Sequence, residues 1–398
     1  MSEGMGGWQN YLLGEIAQVQ TGPFGSQLHM SDYKMEGVPI ITVEHLGENK
    51  ILHKNLPLVG DEDRKRLIKY TLQKGDIVFS RVGSVDRRAY VSANEDGWMF
   101  SGRCLRVRAN KVKVEPRFLS YYFGQESFKE TIRRTAVGAT MPSINTAILS
   151  EVQLSIPSFS EQKAIANVLS SLDDKIDLLH RQNKTLESMA ETLFRQWFIE
   201  EAQEDWGKYS VSDFADHVKE NVVPAKSKSE YYHHYSLPAF DEGKRPTLEL
   251  GSEILSNKYK VVEHSILVSK LNPKVPRIWP VSSLSSKNSI CSTEFQVLKP
   301  KSIKLYGYLL FLLRSNDAVD ALSMAASGTS GSHQRVRPED IFNIKTILPS
   351  LASAEQYSDM VIPGIAKTSS NLSQIETLEK LRDTLLPKLM SGEVRVAV

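Results

Sequence analysis

The sequence predicts an α+β chain of two globular domains separated by two long antiparallel α-helices that form a coiled-coil spacer, the whole arranged as an internal repeat with pseudo-twofold symmetry. Three observations predict it. The chain has 398 residues, too many for one ordinary core. Segments of its first half recur about 190 residues later. Long stretches carry apolar residues at spacings that alternate four and three, the signature of a helical seam.

The repeat is legible residue by residue. Lys69-Tyr70 through Asp76-Ile77-Val78-Phe79-Ser80-Arg81 aligns with Lys258-Tyr259 through Ser265-Ile266-Leu267-Val268-Ser269-Lys270, and the apolar run in each reads as a buried strand. Phe118–Phe123 aligns with Tyr308–Leu313, and Gly138 and Thr140 with Gly328 and Ser330. Val152–Pro157 then aligns with Ile344–Pro349, and Ser160-Glu161-Gln162 with Ala354-Glu355-Gln356. Small drifts in the offset mark loop insertions. Thr185-Leu186-Glu187 falls on Thr377-Leu378-Glu379, so each unit is a globular part followed by a helical part. The resulting boundaries are 1–158 and 205–350 for the globular domains, and 159–204 and 351–398 for the helical segments.

Within the globular parts, short runs bounded by Gly, Pro and Asn (Val38–Val43, Ile77–Ser80, Cys104–Arg108, Val152–Ile156) alternate with helical stretches such as Pro116–Thr135. In the first helical segment the seam runs Ile165, Leu169, Leu172, Ile176, Leu179, Asn183, Leu186, Ala190, Leu193, Trp197. With Ser160 as N-cap, about 45 residues at 1.5 Å rise predict a rod of roughly 65–70 Å. The second seam (Val361, Ile365, Leu372, Ile375, Leu378, Leu385, Leu389) is interrupted by Pro363-Gly364 and Pro387, which predicts a shorter, less straight helix. To bury its stripe on the first, it runs back antiparallel, giving a dumbbell. Asn183 either fixes register as a buried polar seam residue or simply faces solvent.

Composition narrows the function. Hydrophobic residues make up 41%, charged 24% and aromatic 8%, the balance of a globular protein rather than a disordered one. Cys104 and Cys291 are too few for a disulfide framework or a four-ligand zinc site; they read as small buried hydrophobes in a reducing cytoplasm. No run of 18 apolar residues or basic leader is present, so a membrane destination is not expected. The net charge of +2 conceals an alternation: residues 1–158 carry 20 Lys+Arg against 17 Asp+Glu, 159–204 carry 5 against 9, 205–350 carry 19 against 15, and 351–398 carry 5 against 6. Phosphate-loop, dinucleotide and zinc-helix motifs are absent, as are the acidic pattern of metal-dependent nucleases and a complete amino-methyltransferase motif around Asn272-Pro273-Lys274. His233-His234 lacks a partner at metal spacing and reads as a surface or packing pair.

What the sequence does display is basic and polar. Arg81, Arg87, Arg88, Arg103, Arg106 and Arg108 crowd the segment after the first buried strand, interleaved with Gly83-Ser84, Tyr90, Trp98 and Phe100. Guanidinium groups bond bidentately to phosphate or guanine, so the density points to nucleic acid, although any single residue of such a run also fits a solvated face. The second repeat places Lys270, Asn272, Lys274, Arg277, His333, Gln334, Arg335 and Arg337 after the equivalent strand. Three turns, Gly22–Ser26, Gly138–Asn145 and Gly328–Ser332, supply amides and hydroxyls for phosphates or bases.

The order of motifs resembles the specificity subunit of type I restriction-modification enzymes over nearly the whole chain. The residues that carry it are Ile156-Pro157, Ser160-Glu161-Gln162, the helix end Leu193-Phe194-Arg195-Gln196-Trp197-Phe198, then Leu348-Pro349, Glu355-Gln356 and the closing Leu385-Leu386-Pro387-Lys388-Leu389-Met390-Ser391-Gly392-Glu393. The resemblance implies two target recognition domains, each reading one half of a split site in double-stranded DNA, with no catalytic residues and no metal of their own. It further implies two docked modification subunits that hold S-adenosylmethionine and methylate adenine, and a motor-nuclease restriction subunit that uses ATP and Mg. The candidate DNA contacts are Arg81, Ser84, Arg87, Arg88, Arg103, Thr140 and Asn145 in the first repeat, and Lys270, Asn272, Lys274, Arg277, Ser330, His333 and Arg335 in the second. Phe194, Trp197 and Phe198 are candidates for partner docking or, equally, for core. A stand-alone DNA-binding regulator and a protein-protein scaffold are the competing readings.

Overall fold

In a computed structural model, described here for residues 7–23, 25, 27–284, 286–327 and 334–396, the chain divides into two compact units. One comprises Met1–Ile176 with Glu376–Val398, the other Asp177–Ile375. Each long helix therefore contributes turns to both.

The first unit is built on an antiparallel four-stranded sheet in the order Ala17–Thr21, Cys104–Ala109, Asp76–Ser80, Arg88–Tyr90. Its central strand is buried at every residue because both faces are covered. Ile77 and Phe79 face a core that includes Phe118, Leu119 and Phe123, from the helix Pro116–Tyr122 and its C-cap. Val78 faces a second core with Ile40, Met99 and Cys104. Alternate side chains of one strand thus serve two cores, which is why the run reads as continuously apolar rather than alternating. A smaller sheet, in the order Tyr33–Lys34, Leu58–Val59, Val38–Ile41, Met99–Phe100, closes the second core, and Gln9–Leu12 pairs antiparallel with Gln153–Ile156. The stretch Pro116–Thr135 is two helices, Pro116–Tyr122 and Glu126–Thr135, broken at Phe123–Gln125.

The second unit repeats this plan. Its four-stranded sheet runs Ala215–Val218, Phe295–Pro300, Ser265–Ser269, Ile278–Val281. Ile266 and Val268 enter one core and Leu267 another, as in the first unit. Gly207–Ser210 pairs with Lys345–Leu348 as the first repeat's ends do. The smaller sheet has grown to five strands, with Tyr231–Tyr235 and Thr247–Leu250 at one side.

The first long helix spans Phe159–Arg195 and passes into one π-helical turn, Gln196–Glu200. Ser158, not Ser160, caps it: the Ser158 hydroxyl accepts the Glu161 N–H at 3.4 Å and its carbonyl accepts the Gln162 N–H at 2.9 Å. The second long helix, Leu351–Met390, runs 40 residues without a break, against 37 α-helical residues and 5 π-helical ones in the first, so the expected interruptions at its prolines do not occur. Pro363 and Pro387 both lie on its exposed side. The carbonyls they leave without an intrahelical donor, those of Asp359 and Asp383, belong to exposed residues that water can satisfy.

Pairing of the helices is antiparallel within each unit. In the first, Arg382 bonds Asp173 at 3.0 Å and Leu389 and Met390 join Ile165, Ala166 and Leu169 in the core. In the second, the Tyr357 hydroxyl donates to the Ala190 carbonyl at 2.7 Å, and Asn371 donates to the Asn183 side-chain carbonyl at 2.7 Å. Asn183 thus has a seam partner.

Candidate nucleic-acid interface

At one end of each four-stranded sheet, three segments are tied side by side by the same hydrogen bonds. In the first unit Arg81 donates its backbone N–H to the Arg103 carbonyl at 2.8 Å and accepts from the Ile144 N–H at 3.0 Å. In the second, Lys270 donates to the Glu294 carbonyl at 2.8 Å and accepts from the Val336 N–H at 3.0 Å. The turns that follow are held alike: Gly83 donates to the Pro142 carbonyl at 2.8 Å, and Asn272 to the Gln334 carbonyl at 2.9 Å. Gly83 and Asn272 have φ of +75° and +51°, a conformation that only glycine and a few short polar residues adopt readily. Ser80 donates to the Arg87 carbonyl at 2.9 Å and Ser269 to the Arg277 carbonyl at 3.0 Å, both through backbone N–H groups. Structurally, then, Arg81 corresponds to Lys270, Arg87 to Arg277, and Arg103 to Glu294.

The crowded arginines of the first unit separate into two groups. Arg106 is buried; its guanidinium donates to the Lys69 and Thr71 carbonyls at 3.2 Å each and lies 5.8 Å from the Phe100 ring centroid. Burial lowers its pKa. Arg108 closes a bidentate pair on buried Asp76 at 2.7 and 2.6 Å. Arg88 is only 2% exposed, and donates to the Ser120 carbonyl at 2.9 Å and to Glu48 at 2.7 Å. Burial by itself would raise the Glu48 carboxyl, but Arg88 and Lys129 hold it below the usual carboxylate range. These three side chains fasten the sheet to its surroundings. Arg88 therefore leaves the set of DNA contacts, because a guanidinium buried to this degree and held by Ser120 and Glu48 cannot reach a groove.

The remaining candidates of the first unit line the tied segments. Arg103, Ser84, Arg87 and Thr140 are exposed. Arg87 leans back on the Leu46 carbonyl. Arg81 is half-buried, donating to the Gly102 carbonyl at 3.2 Å and to the Thr21 hydroxyl at 3.5 Å. Asn145 is exposed but already employed, its side-chain oxygen capping the helix Thr146–Ser150 through the Ile148 N–H at 2.8 Å. Gly138, at φ +109°, starts the hairpin that Val137 and Ser143 close; a Cβ there would sit 2.7 Å from the Met141 carbonyl.

In the second unit Lys274 and Arg335 are exposed and Lys270 and Asn272 half-buried. Arg277 is bidentate on Asp241, at 2.8 and 2.9 Å, and hydrogen bonding from Arg277 holds Asp241 below the usual carboxylate range. Arg335 donates to Glu294 at 3.0 Å. Ser330 and His333, with Phe24 and Ser26 of the first turn motif, lie outside the described residues. The acidic partners Glu48, Asp76, Asp241 and Glu294 are what sequence reasoning missed; each lies 32 to 41 residues from its arginine, so no local spacing announces it.

Phe194 and Phe198 are not docking residues: both are buried, with ring centroids 5.6 and 5.0 Å from that of Tyr308 and 5.6 and 5.5 Å from that of Tyr357, mostly edge to face. Trp197 packs half-buried on the same core. Cys104 and Cys291 are buried free thiols whose pKa burial pushes up to about 12. His234 of the His233-His234 pair is a packing residue, bonded to Glu249 at 3.0 Å. Among the described residues there is no cluster of His, Cys, Asp and Glu that suits a metal ion, and no helix long and apolar enough to cross a membrane.

Residues 5–188 match the family model of the type I restriction modification DNA specificity domain. Over this stretch the chain is similar to the specificity subunits of type I restriction-modification systems. It is 28% identical over 314 residues to the type I restriction enzyme MjaIX specificity subunit of Methanocaldococcus jannaschii, covering 72% of this chain and 71% of that one. A putative MjaX specificity subunit of the same organism is 25% identical over 394 residues, covering 90% and 88%. The crystal structure of the type I restriction-modification S subunit from M. genitalium shares the fold at a TM-score of 0.66, with 15% identity and 98% coverage of both chains.

Proposed function

We propose that this chain is a type I restriction-modification specificity subunit, a non-catalytic adaptor that reads a bipartite site in double-stranded DNA, one half through each unit, and brings two methyltransferase subunits to it. S-adenosylmethionine, ATP and Mg then belong to the modification and restriction subunits and not to this chain. The observation that carries the reading is the twofold occurrence of one loop framework, with matching hydrogen bonds within 0.1 Å, that keeps an arginine at one matched position, Arg87 and Arg277, and presents different side chains at two others, Arg81 and Arg103 against Lys270 and Glu294. A constant frame with exchanged side chains is what reading two different half-sites requires, because side chains at base edges specify while phosphate contacts position. Arg81, Ser84, Arg87, Arg103 and Thr140 are the contacts proposed for one half-site, and Lys270, Asn272, Lys274, Arg277 and Arg335 for the other.

The test is co-purification with the modification subunits followed by mapping of methylated adenines. A split consensus is expected, with Arg81→Ala relaxing one half of it and leaving the other intact. Tight, sequence-specific binding by the chain alone without any associated methylation would favour a regulator, and absence of salt-dependent DNA binding would favour a scaffold.

A further inference from the structure

Within the shared framework, the exposed guanidinium changes place between the two units. In the first unit it stands on the middle-sheet turn, as Arg103, and the hairpin position beside Ile144 is Ser143. In the second the turn carries Glu294, and the cation has moved to the hairpin position beside Val336, as Arg335. Glu294 and Arg335 meet at 3.0 Å across the intervening Lys270 segment. At these two matched positions each unit thus offers one exposed guanidinium, delivered from opposite sides.

The ion pair in the second unit does not consume its arginine. Arg335 remains 60% exposed at the side chain while Glu294 is 28% exposed. A guanidinium has five N–H donors and Arg335 gives one to Glu294, so a two-donor edge remains for a ligand. An arginine side chain has several rotatable bonds, and anchoring it before binding removes part of the ordering entropy that recognition otherwise costs. Glu294 is anchored in turn by its position at the edge of the strand Phe295–Pro300, whose neighbour Lys270 donates a backbone N–H to it. The Glu294 oxygen Oε2 is buried without a hydrogen-bond partner among the described residues, so the carboxylate keeps an acceptor for a second N–H.

We propose that Glu294 is a positioning residue that aims Arg335 at the O6 and N7 acceptors of a guanine in the second unit's half-site, the task that Arg103 performs unaided in the first. This rests on the DNA-reading function proposed above and adds to it a base class and a device. The arrangement also explains why the second unit, with an acidic residue where the first has Arg103, still reads DNA.

The experiment is selection from a random-sequence duplex library by the full chain in complex with its modification subunits, comparing wild type with Glu294→Gln, Glu294→Ala, Arg335→Ala and the double variant Glu294→Gln/Arg335→Ala. Glu294→Gln keeps the shape and removes the charge. The expected result is that wild type selects a guanine at one position of the second half-site, and that each single variant loses that preference by on the order of tenfold, with the first half-site unchanged. The double variant should be no worse than Arg335→Ala, since Glu294 acts through Arg335. A merely structural role would instead lower the melting temperature and weaken both half-sites together, and that result overturns the proposal. An unchanged second half-site in Glu294→Gln and Glu294→Ala overturns it while leaving the DNA-reading function standing. A wild-type complex that selects no sequence overturns both.

Discussion

The seam between the two long helices makes an asymmetric prediction about its two asparagines. Asn371 has no exposed surface, and its amide donates to the Asn183 oxygen at 2.7 Å. Its own Oδ1 is buried with no partner among the described residues. Asn183 is half-buried and reaches solvent. Replacing Asn183 by Leu therefore strands the Asn371 amide wholly inside the seam, at a cost of about 1–3 kcal/mol. Replacing Asn371 by Leu removes an oxygen that was already unsatisfied and releases an Asn183 oxygen that water can reach, so the net change should stay within about 1 kcal/mol. The double Leu variant closes the seam with apolar contact and should be at least as stable as wild type. Amide hydrogen exchange over residues 179–190 and 361–375 reads the effect locally: Asn183→Leu should exchange roughly 5- to 150-fold faster, and the double variant no faster than wild type. If Asn371→Leu loses as much protection as Asn183→Leu, the assignment of the burden to Asn371 is wrong.

Other substitutions separate scaffold from interface. Arg88→Ala removes the charged donor to the Ser120 carbonyl and to Glu48 from a buried position, and should cost about 2–3 kcal/mol, seen as a lower melting temperature; an unchanged melt would return Arg88 to the interface. Arg103→Ala, by contrast, should leave the melt unchanged. It should either relax preference at one base pair or flatten the dependence of log affinity on log salt by about 0.9, according to whether the side chain meets a base or a phosphate. The absence of both changes would make Arg103 an ordinary solvated side chain. Cys104 and Cys291, buried and with thiols raised to about 12, should resist thiol reagents at neutral pH until the protein unfolds; rapid labelling of the native chain would contradict their burial.

Much of this architecture was written in the order of residues, because the repeat and the seam are periodic and periodicity survives without contacts. The buried strands at Ile77–Ser80 and Ile266–Ser269, and the seam from Ile165 to Trp197, lie where their patterns place them. Two features escaped for physical reasons. Pro363 and Pro387 read as breaks, yet a proline on the solvent side of a packed helix leaves only hydrated carbonyls behind, and the packed face carries the helix through. The basic run read as one surface, yet Arg88, Arg106 and Arg108 turn inward to carboxylates and carbonyls distant in sequence, so charge density alone overstated the interface. Phe194 and Phe198 show the converse: at the end of a long amphipathic helix, large aromatic side chains look the same whether their partner is another subunit or Tyr308 and Tyr357.

Glu376–Val398 completes the unit that begins at Met1, with Leu389 and Met390 lying against Ile165 and Leu169. On the ribosome, where chains emerge from the N-terminus at about 5–20 residues per second, this unit must wait until Leu389 and Met390 have been made before its apolar helix face is covered. A premature stop beyond Ile375 would thus spare every residue of the later-made unit and damage the earlier one.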